Sequence, residues 1–141
     1  MPMLIVLTAL AASQMVPPEE PLAGELFGRI WYDLQSNALI GNGNELAARW
    51  YNAGPDGADA PRLHIQNLAC SGSSTRLRCR FELFREGGIA TTNLGEVAPD
   101  RLACRASFRR SGRDGRWSIP RLPPGPDGGH SRITIRCREE A

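Results

Sequence analysis

Three stretches of this chain alternate apolar and polar residues with a period of two, and the polar phase is largely arginine. Leu77, Cys79, Phe81 and Leu83 alternate with Arg76, Arg78, Arg80 and Glu82. Leu102, Cys104, Ala106 and Phe108 alternate with Arg101, Ala103, Arg105, Ser107 and Arg109, and Ile133, Ile135 and Cys137 with Arg132, Thr134, Arg136 and Arg138. Successive side chains of a strand point to opposite faces, so each stretch predicts a half-buried strand, apolar inside and basic outside. Weaker strands are expected at His64–Cys70, Ile89–Leu94 and Arg116–Ile119, with turns at Gly87-Gly88 and Arg113-Asp114-Gly115. In the first of these, Leu63 and Ile65 are out of phase with Leu68 and Cys70, which calls for a bulge near Asn67 or a displaced strand. The segment Pro120–His130 holds four prolines and three glycines and reads as a long, semi-stiff loop.

The four cysteines, Cys70, Cys79, Cys104 and Cys137, allow three pairings, and three of them share the inward phase of a strand. None forms a C-x-x-C, which argues against a thioredoxin-like site or a zinc knuckle. Eight residues separate Cys70 from Cys79, a hairpin-sized interval, so the expected bridges are Cys70–Cys79 and Cys104–Cys137. Chain entropy makes these loops worth roughly 2.7 and 3.8 kcal/mol. The competing expectation is four buried thiols in a reducing compartment.

Upstream of the sheet the period changes. Leu26, Phe27, Ile30, Trp31 and Leu34 form one stripe on a helix within Leu22–Gln35. Asn44 is placed to cap a second helix carrying Leu46, Ala47, Trp50 and Tyr51. Gly41-Asn42-Gly43 and Gly54-Pro55-Asp56-Gly57 break the chain around it, and Trp31 and Trp50 read as core anchors. Helices followed by strands give an α+β class: two N-terminal helices on one face of an antiparallel sheet of five or six strands, stapled by disulfides.

The first residues read as an address. Met3–Ala12 is an apolar run of signal-peptide length followed by small residues, and Pro17 and Pro18 stop any helix; only the α-amino group supplies the usual leading positive charge. Residues 1–13 are therefore expected to be a signal peptide. Residues 14–141 then form a single exported domain, with helices about 22–52 and the sheet about 63–138, in the periplasm or outside the cell. No cysteine lies near the cleavage region, against a lipid anchor, and no apolar run reaches the ~18 residues of a membrane span.

All 17 basic residues are arginine, as a GC-rich and most simply bacterial genome would supply. Their distribution is uneven. Residues 14–61 hold two arginines against seven acids, a net −5, and residues 62–138 hold fifteen against six, a net +9. The total of +2 hides a bipolar molecule. Strand phase puts Arg76, Arg78, Arg80, Arg101, Arg105, Arg109, Arg116, Arg132, Arg136 and Arg138 on the face away from the helices. Of these, Arg76, Arg78, Arg80, Arg105, Arg109, Arg132, Arg136 and Arg138 are the candidate partner-binding set, since the guanidinium fork suits carboxylate and phosphate. Lipopolysaccharide phosphates, an acidic exported protein, or the helical half of another copy would fit; a solvated face covered by arginine stems is the plainer alternative. Phe84 is the one aromatic expected there, so nucleic acid lacks a stacking platform.

Catalytic motifs are sparse. There is no G-x-S-x-G, H-E-x-x-H or phosphate-cradling loop, Asp56 and Asp59 lack calcium-loop spacing, and neither a metal nor a cofactor is expected. The expected function is a non-enzymatic binding protein of the bacterial envelope that presents its arginine face to an anionic component or acidic partner. The alternatives are a small envelope hydrolase using His64 or His130, and a self-associating structural protein.

Overall fold

The computed structural model describes residues 14–53, 62–126 and 128–140. The expected signal peptide and the loop bearing Asp56 and Asp59 lie outside them.

Helix α1 spans Leu22–Ile40 and buries Leu26, Ile30 and Leu34. It runs past Gln35 because no breaker intervenes before Gly41, whose left-handed backbone (φ 64°) lets its N–H donate to the Asn37 carbonyl at 2.8 Å. Helix α2 spans Glu45–Asn52, and the Asn44 side chain accepts the Ala47 N–H at 3.0 Å, the expected cap. Trp50 is fully buried, with half-buried Trp31 stacked on it at 6.4 Å between centroids.

Strands β1 (Leu63–Gly72), β2 (Arg76–Arg85) and β5 (Arg101–Arg110) form an antiparallel meander. Two short strands, β6 (Trp117–Ser118) and β7 (Arg136–Glu139), share the far edge of β5 and complete a five-stranded sheet. β6 faces Arg109 and Arg110, and β7 faces Leu102 to Arg105. Both helices cover one face, where Leu26, Ile30, Leu34 and Trp50 pack with Leu68, Phe81, Leu83, Leu102 and Phe108. The fold is the expected α+β arrangement. The phase break in β1 is a bulge: the register shifts between Gln66 and Ala69, and Asn67 takes φ 56°, a conformation asparagine tolerates better than most residues.

Two expectations need correction. The strand at Ile89–Leu94 does not return to β2; β3 (Ala90–Thr91) pairs only with β4 (Val97–Ala98) in a separate small hairpin. The end of β2 is already engaged on both sides, because Arg85 N–H donates to Asp100 O and Glu86 N–H to Arg62 O. The third alternating stretch becomes a strand only at Arg136. Ile133 and Ile135 are buried, but their backbone bonds go to the helix turn: Ile133 N–H to Asn42 O, and the Ile135 carbonyl from Asn44 Nδ2.

The Pro/Gly segment, expected as a loop, has no strand of its own and folds back as a narrow ribbon held by isolated bridges. Leu122 and Arg132 exchange backbone hydrogen bonds, and Thr134 Oγ1 donates to Pro120 O at 2.8 Å across the base. The ribbon is pinned to the helical layer. Arg121 reaches Asp33 on α1 at 2.8 Å, and Asn42 Nδ2 donates to Ser131 O at 2.7 Å. Gly43 permits this approach; a Cβ there would lie 2.8 Å from the Ile133 carbonyl. Burial pushes the Asp33 carboxyl above the ordinary carboxylate range, against the pull of the Arg121 and Arg29 guanidiniums.

No helix among the described residues is long and apolar enough to cross a membrane.

Candidate anion-binding face of the sheet

Both disulfides join residues that stand directly opposite one another on neighbouring strands, Cys70 with Cys79 and Cys104 with Cys137. They fix the register, and the register decides which arginines meet. On the outer face one cross-strand row reads Ala69, Arg80, Arg105, Arg136 across β1, β2, β5 and β7. The next row reads Glu82, Ala103, Arg138, and another pairs Arg76 with Arg109. Arg78 is set between Ser71 and Ser107. Directly opposed side chains have Cβ atoms roughly 5 Å apart, a spacing at which like charges destabilise the pair.

The face is neutralised at one end only. Glu82 accepts from Gln66 at 3.2 Å and lies 3.5 Å from Arg101, whose guanidinium also sits 4.4 Å from the Phe84 ring centroid. His64 bonds Glu86 at 2.6 Å beside the same ring. Toward the middle and the other end, Arg76, Arg78, Arg80, Arg105, Arg109, Arg136 and Arg138 are exposed and form no ion pair among the described residues.

A groove of about 950 Å³ crosses this face. Arg80, Arg105, Arg136 and Arg138 line it, together with the small residues Ala69 and Ala103, with Met15 and Pro17, and with the carboxylates of Glu82 and Glu140. Four guanidiniums against two carboxylates leave the groove cationic.

Not all of the candidate set belongs here. Arg132 sits on the ribbon, where its Nε donates to Pro123 O at 3.1 Å, because the strand begins later than the alternation suggested. Arg76, Arg78 and Arg109 share the face but not the groove. Arg116 precedes β6, in a turn where its N–H bonds Asp114 at 2.9 Å and holds that carboxyl below its usual range.

Of the two histidines, His130 is exposed on the ribbon and His64 is paired with Glu86 on open surface. Neither lines the groove, and no hydroxyl or thiol bonds His64 among the described residues.

Buried Arg85, whose guanidinium donates to the Trp50 carbonyl, escaped the sequence reading although it extends the inward phase of Cys79, Phe81 and Leu83. Asn37 escaped it too; with Asp33, a carboxylate the sequence marks only as one that could pair across space, it falls on the Leu26–Ile30 stripe at helical spacing.

Comparison with protein-family models, with curated proteins and with solved structures finds no match for this chain.

Proposed function

We propose that this chain is an exported interaction protein of the bacterial envelope, and that the outer face of its sheet holds phosphate groups of an anionic envelope lipid. The observation that carries the reading is the row Arg80, Arg105, Arg136, three guanidiniums on adjacent strands, free of ion pairs among the described residues and lining one groove. Adjacent strands lie ~4.8 Å apart. A phosphate monoester offers three oxygens and up to two negative charges to neighbouring forks at that spacing, against two oxygens and one charge for a carboxylate. Phosphate therefore suits the row better than an acidic side chain does. Ala69 and Ala103 keep the floor low enough for the group to enter. Two disulfides fit an oxidising compartment, as export requires.

The test is sedimentation with vesicles. Binding to vesicles containing phosphatidic acid, whose phosphate is a monoester, should be absent with phosphatidylcholine alone and should weaken steeply as salt is raised. It should be lost on replacing Arg80, Arg105 and Arg136 with glutamine and retained on replacing Arg113 in the turn before β6. Competition by inorganic tripolyphosphate but not by polyglutamate distinguishes phosphate recognition from general acid binding. Binding that ignores salt and the triple replacement overturns the reading. Stronger competition by polyglutamate than by tripolyphosphate makes the partner an acidic protein.

A further inference from the structure

The groove stands on two supports of unequal strength. Arg80 and Arg105 belong to long strands, β2 and β5, paired over nine register positions. Arg136 and Arg138 belong to β7, paired with β5 over four positions and with no other strand among the described residues. One of those four opposes Arg105 to Arg136, and the adjacent position is the Cys104–Cys137 disulfide. The disulfide therefore holds β7 in place beside an opposed pair of like charges.

We propose that Cys104–Cys137 is a redox latch on the groove: opening it releases β7, withdraws Arg136 and Arg138, and lowers affinity for phosphate polyanions. This rests on the phosphate reading above. Coupling is reciprocal, so a bound polyanion, by neutralising Arg105 and Arg136, protects the bond from reduction. The reductant is a dithiol. Its thiolate attacks Cys137 Sγ, the more exposed partner, the S–S bond breaks, and Cys104 leaves as a thiolate that takes up a proton. The second thiol of the reductant then displaces Cys137. One protein disulfide becomes two thiols as one dithiol becomes a cyclic disulfide.

Cys70–Cys79 is the internal control. It lies in a hairpin paired over eight positions, its neighbours oppose Ala69 to Arg80 and Ser71 to Arg78, and Val16 exchanges two backbone bonds with Cys70.

The experiment measures the equilibrium opening of each bridge at set ratios of reduced to oxidised dithiol, read by alkylation and peptide mass spectrometry, with and without tripolyphosphate, alongside calorimetric titration of tripolyphosphate. Cys104–Cys137 should open at the lower dithiol ratio, and tripolyphosphate should raise the ratio it needs without affecting Cys70–Cys79. Affinity should fall roughly tenfold or more once the bond is open, as loss of charge-assisted contacts implies. In Arg136→Gln protein, which needs no cysteine change to fold, Cys104–Cys137 should need a higher dithiol ratio to open and the protection should shrink. Opening of Cys70–Cys79 at the lower ratio, no protection, or unchanged affinity after opening overturns the latch while leaving the phosphate reading intact. No tripolyphosphate binding to the oxidised protein overturns the phosphate reading, and the latch with it.

Discussion

Two strand pairs of this sheet carry a disulfide at directly opposed positions, yet their surroundings differ. β1 and β2 are consecutive, joined by a tight turn in which Ser73 N–H donates to Arg76 O at 2.8 Å, and each outer-face arginine flanking Cys79 meets a small residue. β5 and β7 are separated by the β6 turn and the ribbon; they pair over four positions, and arginine meets arginine. Hydrogen bonds hold the first pair with the disulfide as reinforcement, and in the second the disulfide closes a contact that charge opposes. Charge packed against the fold's own pairing, with no ion pair among the described residues, is what an anion-holding surface requires.

The largest expected effect separates the two bridges. Removing Cys104–Cys137, which spans 33 residues, should cost more stability than removing Cys70–Cys79, which spans 9: roughly 3.8 against 2.7 kcal/mol in denaturant unfolding. Equal or reversed losses would break the contrast. Next, Asn67→Val in the β1 bulge should cost ~1–2 kcal/mol, because a branched residue resists the left-handed backbone. Denaturant unfolding beside wild type reads the loss, and no loss would mean that the bulge does not depend on that backbone conformation.

A smaller effect has the opposite sign. Arg136→Thr should stabilise the fold by ~0.2–1 kcal/mol by removing the like-charge opposition to Arg105, while Arg78→Thr, between serines, should gain less. The smallest concerns the ribbon that delivers β7. Burial raises the Asp33 carboxyl, so between its unfolded and folded pKa values the folded state keeps a proton that the unfolded state has shed. Stability relative to Asp33→Asn should therefore fall as pH rises through that window and level off above it. A relative stability that rises with pH would mean that the Arg121 pairing outweighs burial.

Much of this was legible in the chain. Period-two alternation located β2 and β5, the eight-residue gap announced one bridge, Asn44 announced a cap, and the phase break in β1 announced the bulge. Each is a local signal, carried by residues a turn or a strand apart. The arginine row was not legible, since Arg80, Arg105 and Arg136 become neighbours only through register between distant strands. Arg132 was misplaced for a related reason. Its alternation with Ile133 and Ile135 is genuine, but Asn42 and Asn44 take the backbone bonds that a strand would have used.

The most direct test compares two arginines of the same face and equal charge. Tripolyphosphate would be titrated calorimetrically into wild type, Arg105→Gln and Arg78→Gln at one ionic strength. Arg105 stands between Arg80 and Arg136 in the groove, whereas Arg78 stands between two serines outside it. The predicted result is a loss of roughly tenfold or more for Arg105→Gln and less than about twofold for Arg78→Gln. Equal losses would mean that the face attracts anions by its total charge alone, and that the row is not a site.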